Sequence, residues 1–201
     1  MSETGLSHMS KRTIALVKRQ HILQTAYRLF KREGFHATGI DRIIAEAGVA
    51  KMTMYRHFPS KDGLIVDVLN WRAERFERRL DELAGAADTP ERKIEAIFNW
   101  HFGWFDSPDF HGCLFQHALA EFGQPGHPVF EAAQRQKTRL KQRMRDVLLA
   151  AATSDRAEAA ATALFALIEG ATFAAQMRQE RLSSRNVLAA ARSIVTTSLD
   201  R

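Results

Sequence analysis

Apolar positions recur at three- and four-residue intervals along almost the whole chain, and no segment alternates residue by residue. That is the period of helix surfaces, so the pattern predicts an all-α protein of about nine helices with no strand. The first runs from about Ile14 to Glu33, buries Ile22, Ala26, Leu29 and Phe30, and stops at Gly34. Two short segments follow. In one, Ile40, Ile43, Ile44 and Ala47 share a face; in the other, Met54 and Phe58 point inward. The fourth helix begins near Lys61 behind a Ser60 cap and turns Leu64, Ile65, Val68, Leu69, Phe76, Leu80 and Leu83 toward a core. Gly85 to Pro90 breaks it, with Thr89 as a cap and Pro90 in the first turn of the fifth, which ends near Phe105. A sixth is predicted from about Gly112 to Phe122 and a seventh from Val129 to Ala152. The last two run from Arg156 to Gln179 and from Ser184 to Leu199. Residues 1–10 are polar and aperiodic and are expected to form a disordered tail.

Residues 38–61 carry the most specific information. Thr38 is positioned to cap a short helix, Gly48 supplies a turn that takes positive φ, and Val49 drops beneath it. If Met54 and Phe58 are buried, Lys51, Met52, Thr53, Tyr55, Arg56 and His57 remain on the outer and flanking surfaces, and Pro59 ends the segment. A short helix with that free face suits a DNA groove, so the stretch reads as a helix-turn-helix. Lys51 is expected to donate to a guanine edge and Met52 to pack on a thymine methyl. Thr53, Tyr55, His57 and Lys61 would hold phosphates, and Arg56 would reach either base or phosphate. Thr38, Arg42 and a basic run of Lys11, Arg12, Lys18 and Arg19 complete the candidate DNA-binding set.

Charge supports this independently. The formal net charge is +6, yet residues 11–61 alone hold eleven Lys or Arg against Glu33, Asp41 and Glu46, a balance of +8; residues 62–201 are close to neutral. A positive field confined to one end steers that end toward phosphates.

Leu29, Phe30, Gly34, Phe35, Thr38, Ala47, Gly48, Val49, Thr53, Tyr55, Phe58, Ser60 and Lys61 stand at fixed spacings. In that arrangement the segment resembles the DNA-binding head of the TetR/AcrR family of transcriptional regulators. GCLFQHALAEF followed by a long helical tail is similar to the sensor half of some members. Three positions depart from the pattern: Gly39 and Ala50 stand where hydroxyl residues are frequent, and Met52 where a small residue is usual. Beyond the tail at 1–10, the resemblance implies a DNA-binding domain at 11–60 and a ligand-binding and dimerisation domain at 61–201. It further implies a homodimeric repressor on a pseudo-palindromic operator, released by a small effector.

The second region offers two readings of its aromatics, which either fill a helical core or wall a pocket for an apolar or aromatic molecule. The resemblance favours the pocket, expected among Trp100, His101, Trp104, Cys113, Phe115, His117 and Phe165. The small residues of 156–199, among them Ala163, Gly170, Ala171, Ala174 and Ala175, suit close helix packing. That packing is either internal or, as the resemblance implies, across a dimer. Cys113 is either a buried inert thiol or a sensor of oxidants and electrophiles, the alternative trigger. No two histidines are spaced for metal binding on a helix, and no nucleophile–base pair, paired-carboxylate motif or phosphate-cradling glycine loop appears. Neither an enzyme, a metal nor a cofactor is expected. A single cysteine fits a reducing cytoplasm, and no apolar run was expected to reach the roughly 20 residues that cross a bilayer.

Overall fold

The computed structural model describes residues 11–177 and 183–199; the tail expected to be disordered lies outside them. Among the described residues there are nine helices and no strand. They are α1 (Lys11–Glu33), α2 (Ile40–Ala47), α3 (Lys51–His57), α4 (Lys61–Gly85), α5 (Pro90–Phe105), α6 (Leu114–Glu121), α7 (Pro128–Leu148), α8 (Ser154–Met177) and α9 (Ser184–Leu199).

The chain divides into two compact units, the first ending at Asn70 and the second beginning at Trp71. The division thus falls inside α4 and not at Lys61. The cause is the opening of α4: Leu64, Ile65, Val68 and Leu69 have no exposed surface, and Asp67 pairs with Arg19 of α1 at 2.6 Å. In the first unit Ile22, Phe30, Phe35, Ile43, Met54 and Phe58 are buried to 3% exposure or less, with the rings of Phe30 and Phe35 5.1 Å apart. In the second, Phe76 and Leu80 of α4, Ile97 and Phe98 of α5, and Leu140 and Met144 of α7 meet Ala161, Leu164 and Ile168 of α8 and Ala191 and Val195 of α9. Here α8 packs against both α7 and α9, and α9 against α5.

Local chemistry explains the boundaries. The Ser60 hydroxyl accepts from the Gly63 amide at 3.0 Å, and the Thr89 hydroxyl from the Arg92 amide at 3.3 Å. Gly48 closes α2 at φ 60°. Thr38 does not cap that helix: the N-cap is Gly39, without a side-chain bond, and the Thr38 hydroxyl donates instead to the Gly34 carbonyl at 2.7 Å. The sixth helix starts at Leu114 and not Gly112, because Gly112 takes φ 86°, outside helical space for other residues. A Cβ there would also come within 2.5 Å of the Gln176 side chain and 2.8 Å of the His117 ring, so both would have to shift. The seventh ends at Leu148, four residues before Ala152, since Leu149, Ala150 and Ala151 have no core to face. The eighth starts at Ser154, two residues before Arg156; of its expected end, residues 178 and 179 lie outside the described set.

One sequence expectation fails outright: α8, at 24 residues, is long and apolar enough by length and composition to cross a membrane. Part of that apolar surface packs within the second unit. Ala157, Ala161, Leu164, Ile168 and Ala171 are buried in the second core, and Glu169 is ion-paired with Lys137 of α7.

Candidate functional site

The helix-turn-helix is built around two tight turns. His21 of α1 donates through Nε2 to the Ala47 carbonyl at 3.1 Å, fixing the end of α2. Gly48 and Val49 return their amides to Ala45 and Ile44, and Met54 and Phe58 seat α3 on the core. That anchoring decides what α3 shows to solvent. Lys51, Met52, Tyr55 and Arg56 are exposed, Met52 to 80%, while Thr53 and His57 are half-buried. An 80% exposed thioether beside two cations has no packing role in the unit.

The cations of this face already have neighbours. Lys51 Nζ lies 3.4 Å from Asp41 Oδ1. Arg42 stands between Glu33 at 3.8 Å and Glu46 at 3.6 Å, and Lys61 Nζ donates to the His36 carbonyl at 3.3 Å. These contacts are long and solvent-exposed, so each is weak. A phosphate oxygen at closer range would displace them.

Three candidates already have roles within the unit or lie partly or wholly inside it. Thr38 is fully buried, with its hydroxyl already donating. Arg19 is held by Asp67 and lies 4.9 Å from the Phe58 ring centroid, tying α1 to α3 and α4. His57 has its Nε2 buried without a partner; burial, with Arg56, Arg19 and Lys18 adding to it, holds its pKa below the ordinary 6.5. That favours the neutral imidazole, which meets a phosphate as a single hydrogen-bond donor and not as a cation. Lys18 is exposed, and Lys11 and Arg12 lie outside the described side chains.

In the second unit Trp100, His101 and Trp104 come together, but in a packed cluster. The two indoles stack 6.2 Å apart, the His101 ring lies edge-on to Phe76 at 5.8 Å, and Trp104 meets Phe110 at 4.9 Å. His101 Nδ1 donates to the Ile97 carbonyl at 2.7 Å. Burial, opposed by that hydrogen bond and reinforced by Lys137 and Arg72, lowers its pKa to about 4. Cys113 and Phe115 are buried, Phe165 packs half-buried against the core, and His117 Nε2 lies 2.9 Å from Gln176. None of these seven residues lines the cavity of about 620 Å³ that opens between the end of α5, α8 and the start of α9. Its walls are Phe102, Phe105, Phe110 and the small residues of α8.

Sequence reasoning also missed a charged group inside this unit. Lys137 is 8% exposed, and its Nζ donates to Glu169 Oε1 at 2.7 Å and to Cys113 Sγ at 3.3 Å. Gln116 donates to the other Glu169 oxygen at 3.0 Å. Burial alone would lower the Lys137 pKa, but Cys113 and Glu169 outweigh it and raise it above the ordinary value. One signal was available: Gln136 and Lys137 fall on the buried stripe of α7 with Val129, Ala133, Leu140 and Met144.

Known proteins have the same organisation. Residues 22–68 match the model of bacterial regulatory proteins of the tetR family, and residues 90–191 match the tetracyclin repressor-like C-terminal domain. The HTH-type transcriptional regulator LmrA of Bacillus subtilis is 29% identical over 155 residues, covering 76% of this chain and 82% of that one. The HTH-type transcriptional repressor KstR of Mycolicibacterium smegmatis is 31% identical over 94 residues, 47% and 44% of the two chains. A TetR-family transcriptional regulator from Streptomyces coelicolor superposes with a TM-score of 0.85 at 31% identity, over 91% of this chain and 96% of that one. The chain belongs to the TetR family of helix-turn-helix transcriptional regulators.

Proposed function

We propose that this regulator binds a pseudo-palindromic operator as a homodimer, with α3 of each subunit in the major groove, and that a small apolar or aromatic effector held in the second unit releases it. The observation that carries this reading is the outward face of α3, where Lys51, Met52, Tyr55 and Arg56 are exposed on a helix fixed by Met54 and Phe58. Lys51 reads a guanine edge, Met52 a thymine methyl, and Lys61, Tyr55 and Arg42 position the duplex through phosphates. Repression is the preferred direction because the relative KstR is named a repressor. The effector acts only through its differential affinity for the two arrangements of the dimer.

Selection of operators from a random duplex library, followed by fluorescence anisotropy, tests this directly. Lys51→Ala should relax preference at one operator position, by about 1–3 kcal/mol of discrimination. Lys61→Ala should weaken all sequences alike and reduce the salt slope by about one. Failure to enrich any sequence, or uniform loss in both variants, would count against the reading.

A further inference from the structure

We propose that an uncharged, naphthalene-sized aromatic molecule bearing a hydroxyl group is the effector, and that it lies in the cavity of about 620 Å³ between α5, α8 and α9. This rests on the effector-responsive function proposed above and names the ligand class and the place. The volume lies within the roughly 300–1,000 Å³ of small-molecule sites. Phe102 and Phe105 from the last turn of α5 and Phe110 from the following loop wall it. Their rings already meet edge-on or tilted, Phe102 with Phe105 at 6.0 Å and Phe105 with Phe110 at 5.4 Å. A further aromatic ring beside them extends that array, its positive edge set against a negative face. Ala174 and Ala175 of α8 also line the space and leave room for a flat body. A saturated ring system of the same skeleton is thicker and has no quadrupole to match.

The polar part of the lining selects a hydroxyl and not an ionic group. Ser107, just after α5, and Ser183 and Ser184, at the start of α9, bring three hydroxyls to the cavity. A serine hydroxyl both donates and accepts, so it meets a phenol in either sense. Ser183 Oγ accepts from the Asn186 amide at 3.4 Å, which still leaves its own proton to donate. Among the described residues lining the cavity there is no Lys, Arg or His, and Asp106 is already engaged. An ionised ligand would therefore leave water for a site with no side chain to neutralise it. The start of α9 supplies only a partial positive charge, roughly half of an elementary one. A neutral phenolic oxygen benefits from that field at a far lower desolvation cost than a carboxylate.

The test compares 1-naphthol with naphthalene, decahydro-1-naphthol, 1-naphthoate and 1-naphthylmethylammonium. Each is titrated calorimetrically into the full chain, into Ala175→Leu, which fills the space, and into Phe105→Leu, which removes one aromatic wall; retained helicity is checked by circular dichroism. 1-Naphthol should bind at least tenfold tighter than its saturated counterpart and either charged probe, and at least threefold tighter than naphthalene. Ala175→Leu should weaken every probe, and Phe105→Leu should bring 1-naphthol to within about threefold of decahydro-1-naphthol. A charged probe binding as tightly as 1-naphthol, equal affinity for the aromatic and saturated alcohols, binding indifferent to Ala175→Leu, or no binding at millimolar concentration would each overturn the assignment. Operator binding is measured on the same preparations, where saturating 1-naphthol should weaken it at least fivefold in the wild type. Tight probe binding with unchanged operator affinity would overturn the cavity's role as effector site. If the operator is bound while the probes fail, only this inference falls; if no operator is bound by the wild type, it is the proposed function that falls.

Discussion

Lys51, at the start of α3, has its ammonium 3.4 Å from the carboxylate of Asp41 on α2, so in the free protein the foremost cation of the reading helix is turned toward the supporting helix. Both groups are well exposed, and the contact is worth little to the fold. Under the proposed function it matters more to DNA, because Asp41 would both compete for Lys51 and place a negative charge beside the phosphates. Asp41→Asn should therefore raise operator affinity severalfold at low salt without moving the thermal midpoint. Anisotropy titrations between about 50 and 200 mM salt check this, and an affinity unchanged at every salt concentration would refute it.

The interior ion pair should show the asymmetry of buried charge. With Lys137 and Glu169 side chains only 10% and 21% exposed, removing either partner strands the other. Lys137→Met or Glu169→Leu should cost about 3 kcal/mol, and the Lys137→Met/Glu169→Leu double variant should recover most of that loss. Urea unfolding of the three variants gives the coupling directly; simple additivity would show that the pair is not acting as a unit.

Acid should weaken the second unit through His101. Its pKa of about 4 lies below the ordinary 6.5, so the unfolded chain takes up a proton that the folded one refuses. Stability is full above pH 6.5 and declines as pH falls from there toward 4. The loss between pH 7 and pH 5 should be about 2 kcal/mol from this residue. In His101→Phe, which keeps the ring contacts with Phe76 and Trp104, the urea midpoint should vary much less over that interval.

Self-association should depend on the outward face of α8. Ala171 and Ala174, which the sequence offers as dimer contacts, are 3% and 9% exposed and face the subunit's own core and the cavity. Ala163, Gly170, Phe173 and Met177 face out, the last two at 59% and 55%. Phe173→Glu should give a helical monomer by light scattering and lose tight operator binding. Ala171→Asp should unfold the second unit instead.

The helix-turn-helix was legible because its determinants are local. The turn at Gly48, the cap at Ser60, and the burial of Met54 and Phe58 all follow from residues within one or two turns of each other. The cavity of the second unit was not, because a cavity is what remains when distant helices pack. Residue type marks Trp100 and Trp104 as aromatic, but whether they close on each other or line a void is decided by Phe76, Phe105 and Phe110. The same limit explains Thr38. Its type suits a cap, yet the carbonyl of Gly34, at the turn after α1, lies nearer than the amides of α2.

Between the two units the chain has no linker. The passage from Asn70 to Trp71 occurs inside α4, which contains no proline and has glycine only at 63 and 85. Proteases cut most readily where exposed backbone can be drawn out as an extended strand, as in loop tips and interdomain connectors. At this junction every peptide bond lies within a helix, and several turns would have to unwind before a protease could seat it. The helix-turn-helix unit is thus poorly placed to be shed as a free fragment, which under the proposed function would occupy operators without answering to an effector.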